Sequence, residues 1–303
     1  MKDNKKHKKA EYGILITGLI ILLAATCVIA LCAGQYSVSV PEVIKILASR
    51  FVNVTKTWSN TAEGVVFTLR LPRMIGAVLV GSALSLSGAA YQGVFKNPLV
   101  APDLLGVSSG ACVGASVAIL LHLNSFGVQA MAFVAGILAV GLTLFIPRLI
   151  KNTNMTMLVL SGIIVKGIMD SVMGIIKYVA DPETELQSIT YWQLGSLTKV
   201  LPRDLFTVGP VIIAASVIIF LLRWRINILS LGDREAKTLG VSVTVVRNFI
   251  IICATLLTAS AVCISGTIGW IGLVIPHFAR MLTGPDNTKA IPASILIGAI
   301  FMV

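Results

Sequence analysis

Two opposite charges stand four residues apart inside an apolar run: Lys166 and Asp170, between Met155 and Ala180. At that spacing they share a helix face and can pair. An unpaired charge at the centre of a bilayer costs about 3 kcal/mol on insertion scales. Two readings are open: a mutually neutralised pair facing protein, or the lining of a path through the membrane. A second polar interruption is Leu229-Ser-Leu-Gly-Asp-Arg-Glu-Ala-Lys-Thr-Leu-Gly240. It is far too short and polar to cross a bilayer, which takes about 20 apolar residues. The spacing predicts a short surface helix, with Gly232 before it and Gly240 at its C-terminal cap. Ala236 and Leu239 would share a face, with Leu231 near it. Either this is a solvated connecting loop or it is a docking helix that a soluble partner grips. A third feature is Arg70 and Arg73, bracketing Leu71-Pro72. They suit either headgroup snorkelling or bidentate pairing with a partner's carboxylates.

Other chemistry is sparse. The three histidines, His7, His122 and His277, are scattered, and the five cysteines all lie in apolar runs without metal-ligand spacing. We expect no metal site, no cofactor and no catalytic residue. The chain contains no phosphate loop of the Gly-x-x-x-x-Gly-Lys-Ser/Thr kind, so any ATP-derived energy must come from a separate subunit.

The elements that must carry these groups are membrane spans. The 303 residues are 56% hydrophobic and only 12% charged, against about 25% charged in a soluble domain. The pattern predicts an all-α polytopic membrane protein, a glycine-rich helical bundle forming a single transmembrane domain over 1–303. The expected spans run 12–34, 71–91, 104–121, 126–146, 155–180, 205–222 and 246–264. A short, broken eighth follows Gly266, Gly269 and Gly272, and a ninth begins near Ile291. Pro41 to Arg50 is patterned as an amphipathic surface helix. Gly106, Gly110, Gly114 and Ala118, and likewise Gly81, Ser85 and Ala89, recur every four residues and make smooth faces for close packing.

The net charge of +11 needs no nucleic acid, because basic residues gather in cytoplasmic loops. With a cytoplasmic N-terminus, fifteen of the 24 Lys and Arg residues fall inside, eight outside, and Lys166 within the membrane. That orientation makes 1–11 a basic cytoplasmic tail and puts 228–241 in the cytoplasm. Arg70 and Arg73 then stand on the outer side, against the trend.

Taken together, Arg70-Leu-Pro-Arg-Met-Ile-Gly76, Gly81 to Gly88, Gln92, Asn97 to Val107, Asp181-Pro182, Trp192 to Gly195, Gly232 to Gly240, and Gly266 to His277 with Arg280 resemble the FecCD family. Its members are permease subunits of ABC importers for ferric siderophores, haem and vitamin B12. The resemblance implies ten spans, of which this sequence contains nine, so the last span is expected to be missing. It implies a dimer with a second permease subunit, expected to be a homodimer, in the cytoplasmic membrane of a prokaryote. Two cytoplasmic ABC ATPase subunits would bind below and an extracytoplasmic substrate-binding protein above. By the same resemblance Gly232, Asp233, Arg234, Glu235, Ala236, Leu239 and Gly240 would couple to the ATPase. Arg70 and Arg73 would dock the binding protein. Lys166 and Asp170 would line the translocation path, where Lys166 would meet an anionic ferric chelate.

The competing reading is a proton-coupled secondary transporter with Asp170 as proton carrier. Against it, the membrane region holds a single acid and shows no inverted repeat of broken helices.

Overall fold

A computed structural model describes the backbone of residues 2–152 and 154–303, with side chains from residue 10 onward in those ranges. Of the basic tail expected at 1–11, only Ala10 and Glu11 therefore have described side chains, and the basic side chains themselves lie outside what is described. The chain is helical throughout: α1 Lys2–Cys32, α2 Val40–Ala48, α3 Asn60–Gly64, α4 Leu71–Phe95, α5 Val107–Leu120, α6 Ser125–Leu149, α7 Met155–Val179, α8 Glu185–Leu194, α9 Pro202–Leu231, α10 Asp233–Thr238, α11 Val243–Ser265, α12 Ile271–Thr283 and α13 Asn287–Met302. Among the described residues, six helical stretches are long and apolar enough to cross a membrane, and α5, α12 and α13 are shorter apolar helices.

The expected second span starts earlier than Leu71. The stretch Asn60–Phe95 is one continuous helical rod of 36 residues, with a π-helical turn at Val65–Arg70. Proline has no N–H, and its ring clashes with the carbonyl four residues back. Just before Pro72 the turn widens, and the Leu71 N–H bonds the Val66 carbonyl five residues back, so the helix passes the proline without ending. The third span divides: Pro102–Leu105 is a 3-10 turn, Gly106 adopts φ 81°, and α5 follows. Gly106 thus lies outside the α5 face on which it was expected. Span six is also longer than its apolar run, since Arg223 and Arg225 continue α9 to Leu231. Within the polar loop 181–204, α8 forms a further helix that the sequence pattern did not reveal.

The rod's α4 is the axis of the bundle, with nearly all of its residues from Val80 to Phe95 buried. Its small residues let backbones touch. A Cβ on Gly81 would stand 2.1 Å from the Gly298 carbonyl oxygen of α13, and one on Gly88 would stand 1.8 Å from the Gly272 oxygen of α12. Hydroxyls pair across to α11: Ser87 Oγ and Thr258 Oγ1 lie 2.7 Å apart, and Tyr91 Oη and Thr255 Oγ1 lie 2.9 Å apart. On the other side of the bundle Gly110 and Gly114 press α5 against α6, so the glycine spacing has its expected packing use there. Outside this core, a satellite cluster of Leu31, Val43, Ile46, Trp58 and Val66 packs the amphipathic α2 between the end of α1 and the start of the rod.

At the α4–α12 crossing even one methyl group has nowhere to go, and overpacking costs about 1–3 kcal/mol or more. Gly88→Ala is therefore expected to cut the yield and thermal stability of detergent-purified protein, whereas Gly174→Ala, on an open face of α7, leaves both at wild-type levels; size-exclusion and thermal-shift profiles of the two variants check this.

Candidate functional site

Three groups of candidate side chains lie along the bundle: one at the end where α4 finishes, one at the end where it starts, and one between.

At the finishing end, Gly232 breaks α9 from α10 with φ 148° and ψ 156°. This backbone suits glycine, and a Cβ there would fall 1.9 Å from Glu235 Oε2. After α10, Gly240 takes φ 75°. Its N–H bonds the Lys237 carbonyl at 3.0 Å, and the Val241 N–H bonds the Ala236 carbonyl at 3.0 Å. That pair of bonds is a Schellman cap, which ends a helix on a left-handed glycine. Both glycines thus act where the sequence placed them. The segment 228–241, however, is two things: its first four residues are the last turn of α9, and the separate helix is only 233–238.

Ala236 and Leu239 do not share a face. Ala236 is wholly buried in the main core, while Leu239 is 57% exposed, because the helix has ended at Leu239 and its side chain turns away. Asp233, though half exposed, is tied back to the bundle: its Oδ1 accepts from Lys96 Nζ at 2.8 Å and from Arg247 Nη2 at 2.7 Å. Lys96 ends α4 with φ 54°, and Arg247 lies near the start of α11. One carboxylate oxygen therefore ties α10 to two spans. The Arg247 guanidinium foremost, then the Lys96 ammonium, holds the Asp233 carboxyl down at about 2. Arg234, Glu235, Lys237 and Leu239 remain exposed on the outer side.

At the starting end, Arg70 occupies the last position of the π turn. Its guanidinium donates to the carbonyls of Leu31 at 2.8 Å and Cys32 at 3.1 Å, and to that of Tyr36. These are carbonyls at and just beyond the end of α1, which have no partner within the helix. Arg70 thus fastens α1 to the rod. Arg73, one turn on, makes no hydrogen bond or ion pair with a described residue. Both line a cleft of about 580 Å³ that also touches Tyr36, Leu69 and Leu197.

Between the ends, Lys166 and Asp170 are both exposed on α7, but they do not pair. Lys166 Nζ lies 3.7 Å from Asp103 Oδ2 instead. Asp103 is brought there by a close approach: Gly162 of α7 packs under the Leu104 carbonyl, where a Cβ would stand 2.2 Å away. Asp170 joins Asp103, Gln193 and Trp270 around a cavity of about 190 Å³. One wall of the cavity is the non-helical stretch 266–270. Unwound backbone inside a membrane bundle is tolerated where it is buried in protein or lines a cavity. Here Thr267 Oγ1 donates to the Gln193 carbonyl, and the Ser196 N–H bonds the Ser265 carbonyl at 2.7 Å.

Sequence reasoning missed Asp103, Lys96 and Arg247 because their partners are distant in the chain. Gln92 did carry a signal, an amide in an otherwise apolar run. It is 4% exposed; its Nε2 donates to the carbonyls of Val100 at 3.2 Å and Leu273 at 3.2 Å, and its Oε1 accepts from Arg280. It thereby joins the turn after α4 to both ends of α12.

The profile of the FecCD transport family matches residues 21–303. The molybdate import system permease protein MolB of Haemophilus influenzae is 36% identical over 97% of this chain and 86% of its own length. A probable iron chelatin transport system permease protein of Helicobacter pylori is 40% identical over 79% of this chain and 72% of its own. Among solved structures, an inward-facing ABC transporter described as of metal-chelate type superposes with a TM-score of 0.86, at 34% identity, over 96% of this chain and 88% of that one.

The geometry at the two ends gives separable outcomes. Arg70→Ala removes the cap of α1 and is expected to destabilise the protein by about 1–3 kcal/mol, while Arg73→Ala leaves the melting temperature unchanged. Because the Asp233 carboxyl titrates below its ordinary 3.8, its tie contributes stability above that value and loses it as the pH falls through about 2. Limited proteolysis at 233–240 is therefore expected to be constant from about pH 5 to 9 in the wild type, and faster throughout in Asp233→Asn.

Proposed function

The chain belongs to the FecCD transport family, and from that premise we propose that it is the non-catalytic, membrane-spanning permease subunit of an ATP-driven importer in the cytoplasmic membrane of a prokaryote. Its cargo is an iron chelate, a ferric siderophore first, with haem or cobalamin behind it. It works as a dimer with a second permease subunit, a further copy of itself. Two cytoplasmic ABC ATPases drive the dimer and an extracytoplasmic binding protein feeds it. The N-terminus and α10 are cytoplasmic.

The observation that carries this reading is the split character of α10. It is anchored by buried Ala236 and by the Asp233 tie, while charged residues on its surface and Leu239 just past its end stay exposed. A surface helix fixed to two spans and bare outside can pass a partner's movement into the bundle. Gly232 and Gly240 set its ends, and Arg234, Glu235 and Lys237 supply rim charges. At the far end Arg73 is the docking cation for acidic side chains of the binding protein, and Arg70 fixes the frame in which Arg73 stands. Along the path Lys166 and Asp170 meet the cargo. Lys166 already neighbours Asp103, so an anionic chelate binds it by exchanging one carboxylate for another. That exchange costs less than stripping water from a bare ammonium.

Energy source and cargo are tested together in proteoliposomes holding the permease, its ATPase and its binding protein, with ferric siderophore, haem, cobalamin and molybdate supplied singly. Uptake of the ferric siderophore is expected to require ATP, and Leu239→Asp is expected to abolish it while membrane insertion stays normal. Uptake of molybdate alone would reassign the cargo, and uptake driven by a pH gradient without the ATPase would overturn the ATP-driven reading.

A further inference from the structure

We infer that Lys96 and Arg247 are positioning residues that share the Asp233 carboxylate as a two-position latch: in one position α10 is held to the end of α4 as well as to α11, and in the other it is held to α11 alone. The inference rests on the ATP-driven reading only for what pushes the latch.

In the structure one oxygen does all the work. Asp233 Oδ1 accepts from both Lys96 Nζ and Arg247 Nη2, while Oδ2 accepts no hydrogen bond from a described residue. On the other side of the contact, Arg247 Nε is buried and has no partner. The Nε and Nη2 edge of a guanidinium presents two parallel donors that match the two oxygens of a carboxylate. Here half of that match is made. The terminal torsion of aspartate is broad and soft. Turning it brings Oδ2 toward Nε, completes a side-on pair with Arg247, and draws Oδ1 away from Lys96.

Each position satisfies what the other leaves. The observed position leaves a buried donor unpaired, which carries a desolvation penalty. The turned position gives up a contact between half-exposed partners, Lys96 at 34% and Asp233 at 48% side-chain exposure, and such surface contacts contribute little. Each position thus leaves one group short, the Arg247 Nε donor in the first and the Lys96 ammonium in the second, and pressure on the outer face of α10 chooses between them.

The consequence reaches the bundle through Lys96. Its N–H caps α4 on the Gln92 carbonyl, and the Gln92 side chain reaches α12 and Arg280. Releasing Lys96 loosens the end of α4 at the point where it is tied to α12.

The test uses spin labels at Leu99→Cys and Thr238→Cys, two exposed positions on either side of the tie, with Cys27→Ser and Cys32→Ser. In nanodiscs without nucleotide, the wild type is expected to show mainly the shorter separation. Lys96→Gln shifts the population to the longer one. Arg247→Lys, which keeps the charge but lacks Nε, retains only the shorter, and Lys96→Arg behaves as wild type. If Lys96→Gln and Arg247→Lys both give the wild-type distribution, the latch is overturned. With the ATPase partner and ATP, the wild type is expected to adopt the Lys96→Gln separation while Arg247→Lys does not. If the variants separate as stated but ATP leaves the wild type unmoved, the latch stands and the ATP-driven reading falls.

Discussion

Inside lipid no water is at hand to satisfy a backbone N–H or carbonyl, so every such group must find a partner within the protein. The whole arrangement follows from how this chain meets that requirement where its helices are interrupted. The stretch 266–270 is unwound beside the end of α8: Thr267 Oγ1 reaches out of it to the Gln193 carbonyl, and the Ser196 N–H takes up the carbonyl of Ser265, the last residue of α11. Gln92 accepts from Arg280 and donates to the carbonyls of Val100 and Leu273. Arg70 closes the end of α1. Gln92 lies on α4 and Arg70 on the turn that leads into it, and α4 can gather so many partners because glycine and serine let other backbones come within touching distance. Close approach and polar satisfaction are therefore one device. The small residues bring the carbonyls near, and the few polar side chains then reach them.

The parts of the fold that could be read from the sequence are those governed by local rules. Apolar run length placed the long helices, period placed the amphipathic α2, and the glycines at 232 and 240 marked both ends of α10. Four-residue spacing of small side chains found the α5–α6 contact and the Gly81 contact with α13. The errors have two causes: a deciding partner far away in the chain, or a turn of local backbone that side-chain spacing does not announce. Lys166 and Asp170 satisfy the i,i+4 rule, yet Lys166 turns to Asp103 because Gly162 lets the 3-10 turn come close. Ala236 and Leu239 satisfy the i,i+3 rule, yet the helix stops between them. Pro72 looked like a helix start because proline favours first turns. A widened turn lets the rod run past it, and no local rule announces that.

Charge at the two ends of α4 is used in opposite ways. Lys96 and Arg247 converge on a single acid, and that acid is on the short helix facing away from the bundle. Arg70 is spent on neutral carbonyls, so its full positive charge is left standing beside Arg73 without a described counter-ion. One end is electrically closed and the other is open. An open pair of arginines attracts acidic surfaces from a distance, whereas a closed triad responds chiefly to mechanical displacement of one of its members.

The 36 residues of the rod amount to about 54 Å at the rise of an α-helix, and a bilayer with its headgroups measures about 40–45 Å. Even with moderate tilt, the first turns must stand clear of the lipid. The groups found there agree with an aqueous setting: Lys56 pairs with Glu63 at 2.7 Å, and Trp58 sits beneath them on the satellite core with α2. This forms a folded ledge above the membrane plane, rigidly mounted on a helix that is largely buried in the bundle. An antibody fragment raised against residues 40–64 would thus grip a fixed extension of the bundle axis. Attached there, it would give single-particle images of a small membrane protein the rigid landmark they otherwise lack.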